Sequence, residues 1–429
     1  MQLYSTNNKN LKVNLRDSVM QSLVPDKGLY MPEVIPLLSR DFIADLQSHS
    51  FNEIAFKISQ ALIGSDIPAN DLRDIVNKAI TFPAPVIMLN EQIGSLELWH
   101  GPSLAFKDFG ARFMASLMAY FTKNENRRIT ILVATSGDTG GAVAAGFYKV
   151  PGIEVIILYP SGKVSDLQEK QLTTLGENIR AIEVDGTFDD CQALVKEAFA
   201  DKELNIVYHL SSANSINIAR LIPQSFYYFE AYKQVMKYGK DVIFSVPSGN
   251  FGNLTAGLFA KRMGLPVKRF IAATNINKIV PDYLSSGVYE PKPSLSTISN
   301  AMDVGSPSNF VRILDLYNGD LDAITRDVSG FWLDDKATKD AMREAFLNYN
   351  YICDPHGAIG YKSLKDLTKD EIGIFLETAH PAKFLDTVES ALNIKIEIPE
   401  GLASLTGKTK KAVKMDSAFD SFKSYLLDR

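Results

Sequence analysis

Short runs of consecutive apolar residues alternate with helical segments, and this alternation constrains the fold more than any other feature of the chain. The runs are ITILVAT (129–135), IEVIILYP (153–160), NIRAIEV (178–184), NIVYHL (205–210), DVIFSVP (241–247) and RFIAAT (269–274). Continuous apolar strands joined by helices are typical of parallel sheets that are buried on both faces. The sequence therefore predicts an α/β fold in which mainly parallel sheets are covered by helices.

The same pattern predicts two lobes with an extension at each end. We expect an N-terminal helical segment (1–94), a first α/β lobe (95–236), a second α/β lobe (237–393) and a C-terminal tail (394–429). Helix-period apolar residues predict helices at 52–64 and 70–80, with Asn52 and Asn70 as caps. SLELWH (95–100) alternates like a strand, and the tail contains a short strand-like segment, a basic loop (GKTKKAVK) and a final helix.

Composition excludes several classes of protein. The formal charge of −5 shows no basic footprint for a nucleic acid partner, and two cysteines and five scattered histidines favour neither a disulfide framework nor a metal site. The chain opens without a signal-peptide core and holds no apolar run of membrane-spanning length. We expect a cytoplasmic protein with no membrane partner, present as a monomer or a homodimer.

Lys107 is the candidate catalytic residue. It lies between Phe106 and Asp108 in HGPSLAFKDFG, where a loop passes into a helix whose stripe includes Phe109 and Phe113. Apolar surroundings and the positive end of a helix dipole both favour the neutral amine, the form that a Schiff-base lysine needs. A lysine that extends its ammonium group to water is the alternative, and Lys107 alone does not decide between them.

Four loops that follow strands carry unusual polar residues. The carboxyl ends of strands are where α/β sheets bind ligands. TSGDTGG (135–141) offers hydroxyls and backbone N–H groups at a helix start, and SGNFGN (248–253) is a phosphate cradle without the P-loop lysine. SSANSINIAR (211–220) brings polar groups to Arg220, which suits a second anion, although a structural salt bridge explains this arginine equally well. ETAHPAK (377–383) contains His380, which we interpret as a packing residue. Together these features indicate pyridoxal phosphate acting on an anionic amino acid.

The motifs HGPSLAFKDFG, TSGDTG, NSIN with Arg220, SGNFGN and ETAHPAKF stand in the order seen in the threonine synthase family. The chain resembles the longer form of that family over nearly its whole length, including its MQLYST opening and FPAPV segment. The resemblance implies a two-lobe fold-type II pyridoxal phosphate enzyme, similar to the tryptophan synthase β subunit. It also implies a carbon–oxygen lyase acting on phosphates, which converts O-phospho-L-homoserine and water to L-threonine and phosphate by γ-elimination and β-hydration.

The resemblance further implies roles for individual residues. Lys107 would bind the cofactor covalently and move protons at Cα and Cβ, Thr378 would face the pyridine nitrogen, and Asp138 would lie near the 3′ oxygen. Many relatives have Asn where this chain has Asp138. The cofactor phosphate would be bound by Gly249, Asn250, Phe251, Gly252 and Asn253. The substrate carboxylate would be bound by Thr135, Ser136 and Thr139. The substrate phosphate would be bound by Asn214, Ser215 and Arg220.

Three other functions compete with this interpretation. A fold-type II serine or threonine dehydratase would not need the second anion pocket. A binding or regulatory protein that had lost catalysis would have a damaged lysine or cradle, and both are intact here. A nucleotide-dependent enzyme would need a P-loop lysine or a GxGxxG turn after the first strand of a βαβ unit, and neither is present at the right place in this sequence.

Overall fold

The computed structural model describes residues 1–123, 128–405 and 407–428, so Arg429, which ends the predicted tail, lies outside the described residues. The strands in these ranges are β1 (Gln2–Ser5), β2 (Lys12–Asn14), β3 (Tyr30–Pro32), β4 (Val86–Met88), β5 (Ile93–Glu97), β6 (Ile129–Ala134), β7 (Ile153–Pro160), β8 (Ile179–Asp185), β9 (His209–Ser212), β10 (Asp241–Pro247), β11 (Val267–Thr274), β12 (Val328–Trp332), β13 (Glu371–Glu377) and β14 (Val413–Asp416).

Helices connect and cover these strands. The α-helices of the described residues are α1 (Leu15–Gln21), α2 (Arg40–Ala44), α3 (Phe51–Ile63), α4 (Ala69–Ala79), α5 (Lys107–Thr122), α6 (Asp138–Phe147), α7 (Asp166–Thr173), α8 (Phe188–Ala200), α9 (Lys202–Val207), α10 (Ile218–Leu221), α11 (Phe226–Val235), α12 (Gly252–Arg262), α13 (Ile279–Ser286), α14 (Phe310–Leu316), α15 (Leu321–Asp327), α16 (Asp335–Tyr349), α17 (Pro355–Lys362), α18 (Leu385–Leu392), α19 (Glu400–Ala403) and α20 (Phe419–Leu427). Short 3₁₀ helices lie at Leu46–Ser48, Ile222–Ser225, Met236–Tyr238, Asn300–Met302 and Pro381–Phe384.

Two mainly parallel sheets form the body of the protein, which confirms the predicted fold class. One has the order β12-β11-β10-β13-β5-β4 and the other β14-β8-β7-β6-β9, and only the β4–β5 pair in them is antiparallel within the described residues. Successive residues of β6 enter different hydrophobic clusters, Ile131 on the side of α6 and Leu132 on the side of α8. Helices therefore cover both faces of this sheet, as a continuous apolar strand requires.

The N-terminal segment is not wholly helical, and that part of the prediction was wrong. β1 pairs antiparallel with both β2 and β3, forming a small sheet of its own ahead of helices α2 to α4. These strands are only three or four residues long. Alternation over so few residues is too short to be recognised as a strand pattern.

Two strands pair with a sheet that the predicted domain bounds did not indicate. The strand predicted at 95–100 is β5, and it pairs with β13 in the sheet of the second lobe rather than beginning the first. In the tail, the strand is β14, which overlaps the end of the basic loop GKTKKAVK (407–414) and pairs with β8 of the first lobe. Parallel pairing joins residues far apart in the chain, so local sequence does not reveal it.

Several predicted helix starts differ by a few residues. Ser50 rather than Asn52 caps α3, because Ser50 and Glu53 form a reciprocal capping box. Pro68 precedes α4, so Asn70 lies inside the helix instead of capping it. The first half of the expected strand at 205–210 is helical, since the Asp201 side chain accepts a hydrogen bond from the Leu204 N–H and caps α9, and the strand β9 begins only at His209.

Helix α5 is the central helix of the site. Phe109 and Phe113 are fully buried, and the helix packs against α4, α6 and α10. The predicted apolar stripe is therefore confirmed, and it fixes the N-terminal end of the helix, where Lys107 stands. Within the described residues, no helix combines the length and apolar character needed to cross a membrane.

Candidate active site

Two backbone hydrogen bonds join the residues just before Lys107, at the start of α5, to the segment after β13. The Phe106 N–H donates to the Thr378 carbonyl at 2.9 Å, and the His380 N–H donates to the Leu104 carbonyl at 3.0 Å. These bonds place the lysine beside the carboxyl end of β13. The structure thus brings Lys107 and Thr378, predicted from separate motifs, into one site.

Burial controls the charge of Lys107. Desolvation lowers the pKa of its amine, while the Asp138 carboxylate, 3.7 Å from Nζ, acts in the opposite direction. The net pKa lies below the ordinary lysine value, with the nearby Lys383 and Arg220 charges adding to the decrease. The neutral amine is therefore easier to form than in an ordinary lysine, which is the direction that the sequence predicted.

The loop before α6 uses its hydroxyl groups in two different ways. The buried Thr135 hydroxyl accepts hydrogen bonds from the Gly137 and Gly140 N–H groups at 3.0 and 2.8 Å. Its bonding is therefore already satisfied within the loop. Ser136 and Thr139 are only half-buried, which leaves their hydroxyls available to a ligand.

The SGNFGN loop packs so closely against the backbone of Ala301 that only glycine fits at position 249. A Cβ atom on Gly249 would lie 2.6 Å from the Ala301 carbonyl oxygen. Phe251 has a left-handed φ of 62°, and α12 begins at the next residue. The first-turn N–H groups of a helix have no partner within the helix, so this loop carries donors suited to a phosphate.

Asn253 supplies the strongest sign that this loop binds an anion. Its side-chain oxygen accepts from the Tyr227 and Tyr228 hydroxyls at 2.6 and 2.7 Å. Those bonds fix the amide orientation, and the buried Nδ2 has no hydrogen-bond partner in the described residues. A buried donor without a partner is costly unless a ligand satisfies it. The residues present therefore fit a bound phosphate group.

A second group of buried polar atoms lies in the loop before α10. Arg220 is 3% exposed, and its Nε and the Asn214 side-chain oxygen have no hydrogen-bond partners in the described part of the chain. The guanidinium donates instead to the Ala213 carbonyl, and burial lowers its pKa to about 10. Within the described residues Arg220 forms no ion pair, so the structural salt bridge considered as an alternative is not what holds this arginine.

Two buried cations near the site were not among the residues predicted from the sequence. Arg312 is fully buried, and its side chain donates to oxygens of Tyr30, Ser215, Ile216 and Asn309, all of them carbonyl groups. Lys383 is also buried and contacts Asp138 at 2.7 Å. Lys383 lies within the ETAHPAKF motif, but no local pattern pointed to Arg312, because its partners come from distant segments.

His380 packs as expected. Its ring lies edge-on to Trp99 with centroids 4.6 Å apart, and Nδ1 accepts a hydrogen bond from the Ala382 N–H. Burial lowers the pKa of the imidazole to about 4. It is therefore neutral near pH 7, consistent with a packing role.

Three family models match this chain. The family described as pyridoxal-phosphate dependent enzyme matches residues 95–374, and the families described as threonine synthase N terminus and threonine synthase, C-terminal match residues 2–80 and 357–426. A threonine synthase from Haemophilus influenzae is 49% identical over 429 residues, covering 100% of both chains. The chain belongs to the threonine synthase family.

Solved structures of threonine synthases have the same fold. The crystal structure of the Escherichia coli threonine synthase aligns with a TM-score of 0.94 at 44% identity and covers 100% of both chains. A PLP-bound threonine synthase from Brucella melitensis aligns with a TM-score of 0.94 at 34% identity and covers 99% of this chain and 98% of its own. The family predicted from the five motifs is therefore confirmed, and with it the pyridoxal phosphate cofactor.

Proposed function

We propose that the protein converts O-phospho-L-homoserine and water to L-threonine and phosphate, with pyridoxal phosphate bound beside Lys107. The observation that carries this proposal is a pair of loops, each holding a buried donor without a partner in the described residues, Asn253 Nδ2 in one and Arg220 Nε in the other. Two separate anion sites suit a phosphorylated cofactor together with a phosphorylated substrate.

The SGNFGN loop would bind the cofactor phosphate. Gly249, Asn250, Phe251 and Gly252 would contribute the backbone of the cradle, and Asn253 its free side-chain donor. The helix dipole of α12 adds a favourable field for the anion. Thr378 would face the pyridine nitrogen, and Asp138 would lie near the 3′ oxygen.

When bound, pyridoxal phosphate would supply an electron sink for negative charge at the substrate carbon atoms. Lys107 would bind it covalently and, as the free amine, take first the Cα proton and then a Cβ proton of the substrate. Burial suits it to this task because desolvation lowers the pKa of the amine and so eases loss of its proton. The Thr378 hydroxyl would not hold the ring nitrogen protonated as a carboxylate would, so the reaction would depend on positioned acid–base groups.

The remaining loops would orient the substrate. Ser136 and Thr139 would bind its carboxylate, whereas we assign Thr135 to holding the loop in shape, because its hydroxyl already accepts two backbone N–H groups. Asn214, Ser215 and Arg220 would bind the substrate phosphate. Arg220 would stabilise the charge that grows as phosphate leaves from Cγ, before water adds at Cβ.

A serine or threonine dehydratase activity is the alternative, and the Arg220 loop disfavours it. Such substrates carry no phosphate to satisfy a buried guanidinium. Incubating the purified protein with phosphohomoserine and, separately, with serine distinguishes the two. Release of phosphate and threonine supports the proposal, whereas pyruvate from serine without phosphate release would contradict it.

Lys107→Ala tests the assignment of the lysine. The variant should lose the visible absorbance of covalently bound cofactor, and phosphate release should fall by at least about 10²-fold, the contribution typical of a positioned acid–base group. Lys149→Ala is the control, because that lysine pairs with Glu177 at the exposed surface. A variant at position 107 that kept both the absorbance and the phosphate release would remove Lys107 from the mechanism.

Three properties remain part of the proposal. We place the protein in the cytoplasm, without a nucleic acid partner, and as a monomer or homodimer. The net charge of −5 supports the lack of a nucleic acid partner, since phosphate-backbone binding needs a basic surface.

A further inference from the structure

Lys383 is a buried lysine next to the site that the proposed chemistry does not use. It lies in the 3₁₀ helix Pro381–Phe384, and its side chain has no solvent exposure. Its Nζ lies 2.7 Å from Asp138 Oδ1 and donates to the Ser103 carbonyl at 2.8 Å. A lysine is almost never fully buried unless it is paired.

The two oxygens of Asp138 face different partners. Oδ1 contacts Lys383 and accepts a hydrogen bond from Gln168 Nε2 at 2.8 Å. Oδ2 faces Lys107, whose Nζ is 3.7 Å away. The ion pair with Lys383 is therefore the closer of the two by 1 Å, the difference between 3.7 and 2.7 Å.

A buried carboxylate requires a nearby cation, and two lysines compete for that place here. If the Lys383 ammonium neutralises the Asp138 carboxylate, no second positive charge is required from Lys107. If Lys383 were absent, Lys107 would be the remaining cation at ion-pair distance among the described residues, and pairing would hold it as an ammonium. An ammonium is not a nucleophile.

We propose that Lys383 is a positioning residue that neutralises Asp138 and so leaves Lys107 as the free amine. This inference rests on the proposed role of Lys107 in binding the cofactor. The affected step is condensation of the Lys107 amine with the cofactor aldehyde, in which a C=N bond forms and the aldehyde oxygen leaves as water. The other charged groups that act on Lys107 are Arg220, which opposes its protonation, and Asp138. Asp138 itself is influenced by both lysines: burial raises the pKa of its carboxyl, but their charges bring the net value well below the ordinary one.

The test measures capture of pyridoxal phosphate by the cofactor-free protein, followed by visible absorbance across a pH series. In Lys383→Met, the pH at which covalent capture is half complete should rise by about one to three units, the effect expected of an unshared carboxylate near an amine. Adding Asp138→Asn to that variant should reverse the rise. Lys395→Met, which removes an exposed lysine paired with Glu389, should behave like the wild type.

The outcomes separate this inference from the proposed function. An unchanged midpoint in Lys383→Met, or a rise that persists in the double variant, would overturn the role of Lys383 alone. Failure of the wild-type protein to capture the cofactor would overturn both proposals. If Lys383→Met fails to fold, Lys383→Gln replaces it, because an amide can still donate to the Ser103 carbonyl but carries no charge. The same rise of the midpoint is expected in Lys383→Gln, and an unchanged midpoint there would contradict the proposal.

Discussion

Gly110 gives Arg220 the space that it occupies beside α5. A Cβ atom at this position would lie 2.8 Å from Arg220 Nε and 2.9 Å from the Arg220 carbonyl oxygen. Gly110 follows Lys107 by about one helical turn. Because Gly110 has no side chain, the Arg220 guanidinium can lie against this turn of α5, near the lysine. A residue with no functional group therefore determines where a functional one lies.

Gly110→Ala tests this spatial requirement. Arg220 should move, and kcat/KM for phosphohomoserine should fall by about 10- to 100-fold, since misplacement of a site group by about 1 Å has effects of this size. The absorbance of the bound cofactor should not change. Steady-state kinetics measure the effect, and Gly401→Ala is the matched control, because nothing lies within 4 Å of a Cβ added there. Wild-type kinetics in Gly110→Ala would contradict the requirement.

At the scale of elements, the start of α14 joins the two anion loops. The Asn309 N–H donates to the Asn250 carbonyl at 3.1 Å, and Asn309 Nδ2 donates to Ser215 Oγ at 3.2 Å. Arg312 then bonds the Asn309 side chain and the Ile216 carbonyl, the latter at 2.6 Å. Burial lowers the pKa of this guanidinium to about 9, so it is still a cation at neutral pH. One helix start thus carries a buried positive charge between two proposed phosphate sites.

Arg312→Met should weaken the binding of pyridoxal phosphate by about tenfold or more, equivalent to at least about 1.4 kcal/mol. The physical reason is loss of both the positive charge and the bonds that hold Asn309 and the Ser215 loop. Binding of pyridoxal, which lacks the phosphate, should change much less. Fluorescence titration of the cofactor-free protein measures both affinities. Arg343→Met, at a half-exposed arginine, is the control, and an equal loss for pyridoxal would show a general structural effect instead.

The elements that sequence predicted best are those whose cause is local. Buried parallel strands and the loops that follow them are visible as apolar runs and Gly-rich turns, so the sequence alone points to Lys107 and the SGNFGN loop as candidates. Arg312 was not, because its hydrogen-bond partners include Tyr30 and Ser215, far from it in the chain. The use of the Thr135 hydroxyl within its own loop likewise depends on backbone geometry that composition does not show.

At the scale of the whole molecule, the chain after α18 returns to the first sheet. Lys410 forms ion pairs with Glu169 of α7 and with Glu183 of β8, at 2.5 and 2.7 Å. The basic loop of the tail is therefore not wholly exposed to solvent, since the Lys410 ammonium is shared by two carboxylates. Beyond it, α20 packs against α8 and α9. The tail therefore holds α7 in place through an ion pair. Helix α7 also contains Gln168, whose Nε2 donates a hydrogen bond to Asp138.

Lys410→Met should loosen this attachment. Burial lowers the pKa of the ammonium, but the two carboxylates raise the net value above that of ordinary lysine, and removing the cation leaves Glu169 and Glu183 unpaired close to one another. We expect a loss of about 1 to 3 kcal/mol in the free energy of unfolding. Urea unfolding measures it, with the exposed Lys408→Met as the control. Equal stabilities of the two variants would contradict the expected role.

Strand pairing across the chain also determines when the protein can fold during synthesis. β8 ends at Asp185, yet its neighbour β14 begins at Val413, and β5 pairs with β13 only after Glu371 has been made. A ribosome that had translated most of the message would still carry a chain with open sheet edges, and exposed edges invite pairing with other chains. Neither sheet can therefore be complete before the segments that contain β13 and β14 have been synthesised, and the sheet that contains β8 is the later of the two to close.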